Sequence, residues 1–289
     1  MPPDVRLALA NGQAERNGTA GFEHGVQERD APGLLVSYVY LQPFLEHRAR
    51  YRYRDWVMDS GAFSAFHSGT VIDLGAYIDR CRQLLAEDPT LTEVYALDVI
   101  GDHEGSLRNC EAMWAAGVPA IPCYHFGEPE AILLAMAQQY PKIALGGAVG
   151  LRSAEKLRWA QQCFARVWPK RIHGFGFGSE THILSLPWHS VDATNWETGP
   201  CRFGNWKKYG QMSVKGSYQN LRVEVEHFLA IERKARARWA KEMALLESTS
   251  TAPAVRLAVA QVRETQIYRL ESGLTITAPP IRPKGTPAP

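Results

Sequence analysis

The sequence predicts an α/β fold in which parallel strands alternate with helices. Eight short apolar runs rich in β-branched and aromatic residues recur along the chain, and segments with helical apolar spacing lie between most of them. The runs are continuously apolar rather than alternating, as expected for strands that are buried on both faces. Eight such units are the number that closes a (β/α)8 TIM-like barrel, and this is the fold we expect.

The eight predicted strands follow one another at regular intervals. In chain order they are VRLALA (5 to 10), LLVSYVYL (34 to 41), WVMDS (56 to 60), VYALDVI (94 to 100), AIPCYHF (120 to 126), KIALGGAV (142 to 149), RIHGFGFG (171 to 178) and HSVDATNW (189 to 196). The clearest helical segments are 73 to 87, 105 to 117, 129 to 140 and 153 to 168. Residues 11 to 33 are polar and Gly-rich with no helical pattern, so an open doubly wound sheet is the alternative.

The 289 residues, 45% of them apolar and 21% charged, are enough for one large domain with a substantial core. We expect the catalytic barrel to span 1 to 197. A basic loop and a helical extension packed on the barrel would follow at 198 to 278, with a long helix at 221 to 247. The Pro-rich end, 279 to 289, is typical of a disordered tail.

The cysteines indicate a reducing compartment. Cys81, Cys110, Cys123, Cys163 and Cys201 are scattered, form no Cys-x-x-Cys pair and follow no secretory signal, so we expect a cytoplasmic protein. No apolar run approaches the roughly 18 residues of a membrane span. The spacing of His, Cys and Asp along the chain is not that of a metal site, so we expect no metal and no cofactor.

The charge is concentrated in one part of the chain. The net charge is +2, whereas residues 202 to 241 carry ten Lys and Arg against three Glu. Trp and Tyr are interleaved with these charges, which favours contact with a polyanion. The residues expected to contact nucleic acid are Arg202, Lys207, Lys208 and Lys215. The solvated face of a long helix is the alternative explanation.

Polar residues follow several of the predicted strands. Asp59, Asp98 and Asp192 lie near strand ends, together with His125 and the glycine turns LGGAVG and GFGFGS. Chemistry in such barrels gathers at the carboxyl ends of the strands. Each feature also has a structural explanation: an aspartate can cap the next helix, a histidine can belong to the core, and a glycine turn can bind a phosphate, a carbonyl oxygen or nothing.

Taken in order, these residues resemble the tRNA-guanine transglycosylases and their phage and bacterial DNA-modifying relatives, which exchange guanine for a 7-deazaguanine. The resemblance covers about residues 34 to 197. MDSGAFS is similar to the family's Asp-Ser-Gly-Gly-aromatic turn, ALD to its base-reading aspartate, LGGAVG to its Gly-Gly-Leu-Ala-Val-Gly turn, FGFG to its Met-Gly-Val-Gly, and VDATNW to its nucleophile strand.

The resemblance implies a covalent mechanism. Asp192 would attack C1′ of the sugar, where an anion stabilises an oxocarbenium-like transition state, and Asp59 would be the acid and base. Asp98 would accept hydrogen bonds from the N1–H and 2-amino group of guanine.

The resemblance also implies a pocket for the base. The backbone of Gly146, Gly147 and Ala148 would bind the base carbonyl, and Phe63 and Phe175 would sandwich the ring. Ser60 and Gly176 belong to the same turns and would also bind substrate. His125 stands about where the family carries a glutamine that contacts the base, so its role is open.

The sequence departs from the tRNA enzymes downstream of the nucleophile. Those enzymes carry a Cys-x-Cys-x-x-Cys plus His zinc site there, whereas only Cys201 follows Asp192. The resemblance therefore favours the DNA 7-deazaguanine transglycosylases, with DNA and a free 7-deazaguanine as partners and a flipped-out or unpaired guanine as the target. The alternatives are a tRNA-type transglycosylase, a phosphate-binding barrel lyase or aldolase, and a catalytically inactive nucleic-acid-binding module.

Overall fold

The computed structural model describes residues 2–9, 31–50, 52–198 and 221–250, together with two short strands near the carboxyl terminus. Eight parallel strands form one sheet. They are β1 (Asp4–Leu9), β2 (Gly33–Ser37), β3 (Trp56–Asp59), β4 (Leu91–Val94), β5 (Cys123–His125), β6 (Lys142–Gly146), β7 (Arg171–Gly174) and β8 (Ser190–Ala193). Each overlaps or adjoins one of the eight predicted runs.

Helices lie between most of the strands, and among the described residues three helices follow β8. They are α1 (Leu41–His47), α2 (Ala62–Ser68), α3 (Leu74–Glu87), α4 (His103–Ala115), α5 (Glu130–Gln139), α6 (Ser153–Val167), α7 (Glu180–Ser185), α8 (Asn195–Thr198), α9 (Leu221–Arg238) and α10 (Ala240–Ser250). The four predicted helical segments are confirmed as α3, α4, α5 and α6. The long helix predicted at 221 to 247 is divided at Trp239 into α9 and α10.

The sheet closes on itself. Its strand order is β4-β3-β2-β1-β8-β7-β6-β5, and a parallel bridge between Tyr95 and Ile121 joins the two outer strands. The N–H of Ala96 donates to the carbonyl of Ile121, and the N–H of Ile121 donates to the carbonyl of Val94, both at 2.9 Å. The predicted TIM-like barrel is therefore confirmed, and the open doubly wound sheet is excluded.

A buried apolar cluster lies inside the barrel. Its members come from successive strands or the residues beside them: Ala8, Leu35, Val57, Tyr95, Ile121, Cys123 and Ala144. Side chains from opposite sides of a ring of strands can meet only inside it, so this cluster identifies the face of each strand that points inward.

The predicted fourth strand differs from the observed one. Residues 94 to 100 were expected to be extended, but β4 ends at Val94 and all but the first of these residues follow the strand. Asp98 therefore lies in the loop that leaves the barrel rather than in the sheet. The reason is that apolar loop residues such as Val99 and Ile100, both partly exposed, continue the apolar pattern on the far side of Asp98.

A network of ion pairs lies at the amino-terminal end of the barrel. Glu232 of α9 is buried and accepts hydrogen bonds from the N–H of Val5 at 2.7 Å and from Arg54 at 3.2 Å. Arg236 lies 2.9 Å from the same carboxylate. Because Val5 lies in β1 and Arg54 precedes β3, Glu232 joins α9 to two strands of the barrel.

Asp4 belongs to the same network. Burial opposes its ionisation, but the positive charges of Arg6, Arg54 and Arg236 outweigh burial and lower the pKa of Asp4. Arg236 donates to it at 2.6 Å. This end of the barrel therefore holds charges that are paired, as expected for a part of the structure that contributes stability rather than chemistry.

The rest of the chain is described only in part. Contacts divide the chain into Met1–Ala252 and Pro253–Pro289, and in the second unit β9 (Tyr268–Arg269) pairs antiparallel with β10 (Thr275–Ile276). The start of the predicted extension, 199 to 220, and the predicted tail lie outside the described residues. Within the described part of the chain, every helix is too short or too polar to cross a bilayer.

Replacing Glu232 with Ala should lower the free energy of unfolding by about 3 kcal/mol, because it removes a buried carboxylate that pairs with Arg54 and Arg236 and leaves the buried N–H of Val5 without its acceptor. Urea unfolding at pH 7 measures this loss. Glu247→Ala, at an exposed position of α10, is the matched control and should change stability by less than about 0.5 kcal/mol. Equal stability of the two variants would contradict the structural role of Glu232.

Candidate active site at the carboxyl ends of the strands

The alternation of side chains along a strand brings most of the predicted residues to one place. Asp59, His125 and Gly146 each lie two positions beyond a member of the interior cluster, so they face into the barrel nearer to the carboxyl ends of the strands. Phe175 packs against the same cluster, and Asp192 is buried in β8. The inward face and the strand ends thus form a single site.

Asp59 ends β3 and is partly buried. Its Oδ2 accepts a hydrogen bond of 3.1 Å from the N–H of Gly61. Burial and the negative charges of Asp98 and Asp192 raise the pKa of Asp59 to about 7, although hydrogen bonds from the backbone of Gly61 and Ser60 oppose the rise. The three aspartates are therefore within electrostatic reach of one another, and Asp59 can hold or release a proton near neutral pH.

Asp192 is held by one of its two oxygens. Oδ1 accepts a hydrogen bond of 2.6 Å from the N–H of Gly176, whose φ of +68° is in the left-handed region that favours glycine. His173 Nε2 lies 3.6 Å from the same oxygen, too far for a hydrogen bond. The described residues offer Oδ2 no hydrogen bond, so this oxygen is available to a reacting atom.

His173 is a buried residue that the sequence patterns did not indicate. Its Nδ1 lies 2.8 Å from Ser190 Oγ, and the same hydroxyl accepts a hydrogen bond of 2.9 Å from Lys142. The Ser190 hydroxyl can donate to Nδ1 or accept from it, whereas His173 Nε2 is buried with no hydrogen-bond partner in the described chain. Burial lowers the pKa of His173 although Asp192 opposes this, so the imidazole is neutral.

Asp98 and His125 form a pair. Asp98 Oδ2 lies 3.2 Å from His125 Nε2, whereas Asp98 Oδ1 is buried with no hydrogen-bond partner in the described chain. Burial raises the pKa of Asp98, and His125 opposes the rise. On its other side, His125 Nδ1 lies 3.0 Å from Glu128 Oε1. Cys123 and the carboxylates of Asp98 and Glu128 raise the pKa of His125 well above its ordinary value.

The glycine turn after β6 makes room for side chains of β5. A Cβ added at Gly146 would lie 2.7 Å from Cys123 Sγ, and one added at Gly147 would lie 2.8 Å from His125 Cβ. Gly147 also has a φ of +68°. The N–H groups of Gly147 and Ala148 have no acceptor among the described residues. The turn therefore serves packing, and it keeps two donors available to a ligand.

The structure excludes the role of helix cap for two of the three aspartates. Asp102, not Asp98, caps α4, accepting from the N–H of Gly105 at 2.9 Å. Asp192 accepts from Gly176, which belongs to a different loop. Asp59 accepts a hydrogen bond from the N–H of Gly61, the residue immediately before α2. This contact is compatible both with a role at the start of the helix and with a catalytic role.

The two predicted aromatic residues lie in different surroundings. The Phe175 ring packs inside, 4.8 Å from Tyr95 and 4.6 Å from His173. Phe63 lies on α2, 50% exposed, with its ring 4.3 Å from that of His67. Within the described chain no ring contact joins Phe63 to Phe175, so the sandwich around a base stays a prediction.

Two other predicted residues already have local partners. Ser60 is buried, and its hydroxyl accepts a hydrogen bond of 3.4 Å from the N–H of Ala62. The N–H of Gly176 is used by Asp192. A contact of Gly176 with substrate would therefore have to use its carbonyl or its Cα, or act through the nucleophile.

A cation at the site comes from a helix rather than from the predicted basic segment. Lys156 of α6 donates to the carbonyl of Gly176 at 2.7 Å and lies 4.4 Å from the centroid of the Phe177 ring. Burial lowers the pKa of Lys156, and the charge of Asp192 opposes this. The predicted basic residues lie outside the described residues: Arg202, Lys207, Lys208 and Lys215.

Comparisons with known proteins add little. Scans against protein-family models and curated proteins found no match. Among solved structures, the chain is similar to a putative fructose-1,6-biphosphate aldolase from Coccidioides immitis, with 14% identity and a TM-score of 0.45, over 81% of this chain and 88% of that one. A likeness at this level carries no information about activity.

The raised pKa of Asp59 has a consequence for stability. Folded Asp59 keeps a proton that the unfolded chain releases above the ordinary aspartate pKa of 3.8. Its favourable contribution is therefore complete below pH 3.8 and is lost as the pH rises through about 7.

Asp59→Asn removes this ionisation and should stabilise the protein increasingly from pH 4 to pH 7, by about 2 to 4 kcal/mol at the upper end. Thermal unfolding across this range measures the effect. Asp79→Asn, at an exposed position of α3, should show no such gain. A gain for Asp59→Asn that does not grow with pH would contradict the buried, coupled carboxyl.

Proposed function

We propose that the protein exchanges guanine in DNA for a 7-deazaguanine base through a covalent aspartyl-glycosyl intermediate. The observation that carries this proposal is a pair of carboxylates in unlike environments. Asp59 has a pKa of about 7. Asp192 is held through one oxygen by a backbone N–H, while its other oxygen has no hydrogen bond from the described residues. A nucleophile beside a group that exchanges protons at neutral pH is what base exchange requires.

The chemical step uses both groups. Oδ2 of Asp192 attacks C1′ of the deoxyribose as the bond from C1′ to the guanine nitrogen breaks, and the electron pair of that bond leaves with the base. Asp59, protonated near neutral pH, gives its proton to the departing guanine. The 7-deazaguanine then gives a proton to Asp59 and attacks C1′, which breaks the bond to Asp192 and restores the free enzyme.

His173 positions the nucleophile in this scheme. Its Nε2 lies 3.6 Å from Asp192 Oδ1, and its Nδ1 contacts Ser190, to which Lys142 also donates. With its proton on Nε2, the neutral imidazole would place a partial positive charge near Oδ1 without the tight ion pair that would weaken the attack.

Recognition of guanine falls to Asp98 and to the turn after β6. Asp98 Oδ1 is a buried acceptor with no donor in the described chain, and the guanine edge offers two donors. The N–H groups of Gly147 and Ala148 would bind the base carbonyl, and Phe175 would line one face of the ring. The choice of DNA over tRNA rests on the sequence resemblance, since one cysteine after Asp192 cannot build the tRNA enzymes' zinc site.

Asp192→Asn should abolish exchange, with a loss on the order of 10⁴-fold, because the amide oxygen is a poor nucleophile. The measurement is release of radiolabelled guanine from DNA in the presence of a 7-deazaguanine, with trapping of the covalent complex on a denaturing gel. Asp79→Asn is the matched control and should retain full exchange. An Asp192→Asn variant that keeps most of its activity would remove Asp192 from the mechanism.

The same assay tests the substrate. Labelled guanine should be released from DNA with an unpaired or flipped-out guanine, and folded tRNA should be a poor substrate and a poor competitor. Exchange into tRNA with none into duplex or single-stranded DNA would show that the substrate is tRNA and not DNA. The covalent mechanism would remain. Exchange into neither would overturn the proposed function.

A further inference from the structure

Three side chains of metal-ligand type meet at the carboxyl end of β5. The ligand atoms of Asp98, Cys123 and His125 all lie within 4.8 Å of one another. Cys123 and His125 are two apart on one face of a strand, and the loop after β4 brings Asp98 to them. The sequence did not indicate this cluster because Asp98 is 25 residues away from Cys123 along the chain.

We propose that Asp98, Cys123 and His125 bind a divalent transition-metal ion of the zinc class. Zinc bonds of about 2.0 to 2.3 Å in a tetrahedral site place neighbouring ligand atoms roughly 3.3 to 3.7 Å apart. Asp98 Oδ2 and His125 Nε2 are already 3.2 Å apart, and the widest separation in the cluster would have to shrink by about 1 Å. Side-chain adjustment alone covers this distance.

The carboxylate of Glu128 orients His125 in the way that metal-bound histidines are usually oriented. His125 Nδ1 lies 3.0 Å from Glu128 Oε1, and Glu128 Oε2 accepts from the N–H of His125 at 2.9 Å. Nε2 is thereby turned toward Asp98 and Cys123. Metal-bound histidines almost always donate their second ring N–H to a carboxylate, a carbonyl or water, so Glu128 fits this outer position.

One feature of the surroundings also indicates a ligand. Asp98 Oδ1 is buried without a hydrogen-bond partner in the described chain, which is costly unless something binds it. The cluster therefore holds a buried carboxylate oxygen whose hydrogen-bonding capacity the described residues do not satisfy.

The ligand set selects the kind of metal. A thiolate with an imidazole and a carboxylate suits Zn²⁺ or Co²⁺, whereas Mg²⁺ and Ca²⁺ prefer oxygen ligands throughout. One thiolate and one carboxylate balance the charge of a divalent ion, so the occupied site is neutral. Three protein ligands leave the fourth position open, as in sites that bind water or substrate at the metal.

The metal site goes beyond the proposed base exchange and does not depend on it. The two would share Asp98, so Zn²⁺ and guanine should compete for this carboxylate. Base exchange is therefore measured on the metal-free protein, where metal binding combined with a lack of exchange would show that the metal site is correct and the proposed function wrong. Base exchange without metal binding would show the reverse.

The experiment titrates metal-free protein without an affinity tag with Co²⁺. We expect one ion per chain, the visible spectrum of tetrahedral cobalt and a near-ultraviolet band from charge transfer between a thiolate and the metal. Zn²⁺ should displace the cobalt and abolish both signals. Zn²⁺ should also raise the melting temperature, because it binds only the folded protein.

Variants locate the site. Cys123→Ser should lose the charge-transfer band, and His125→Gln should bind at least tenfold more weakly. Glu128→Gln, which leaves all three ligands in place, should weaken binding about 10- to 100-fold. The matched control is Cys163→Ser, at another buried cysteine, which should behave like the unaltered protein. Circular dichroism establishes that each variant is folded.

Three results would overturn the proposal. The first is less than stoichiometric cobalt binding, and the second is a cobalt spectrum without the thiolate band. The third is an unchanged band in Cys123→Ser, which would place the bound metal at another cysteine. If Cys123→Ser does not fold, an unchanged affinity of Glu128→Gln and His125→Gln is decisive against the site.

Discussion

Closure of the sheet between Tyr95 and Ile121 is the constraint on which the site depends. In a closed ring of parallel strands, alternate side chains have nowhere to go except the interior, and all carboxyl ends point the same way. Aspartates on or after three different strands are therefore forced into one poorly hydrated space. An open sheet would have left each of them free to reach water.

The three carboxylates have hydrogen-bond partners of unequal strength, and this difference gives them different tendencies to ionise. Asp192 receives a short backbone hydrogen bond, and Asp98 receives a histidine, while Asp59 has only backbone N–H groups against burial and two neighbouring negative charges. The backbone hydrogen bonds do not offset the full free-energy cost of ionising Asp59, so its pKa is raised. At the opposite end of the barrel, Glu232 and Asp4 have arginine partners throughout, and their charges stabilise the fold.

The glycine turn after β6 shows how packing and binding combine. Its first two glycines are needed because Cys123 and His125 occupy the space where a Cβ would lie, which is independent of any ligand. In the same turn, the N–H groups of Gly147 and Ala148 have no acceptor among the described residues. The turn needs glycine because Cys123 and His125 of β5 require the space. The N–H donors that it offers to a ligand are a consequence of this requirement.

The sequence by itself determined the barrel, because eight continuously apolar runs separated by helical segments have few other ways to bury both faces of their strands. It also indicated Asp59, Asp98, Asp192 and His125, since polar residues that end apolar strands are conspicuous in a pattern. Only the tertiary structure decided what surrounds them. His173 looked like one residue of an apolar strand, and the pairing of Asp98 with His125 joins positions 27 residues apart. Such contacts depend on strand register and closure, which bring distant residues together without leaving a local signal in the sequence.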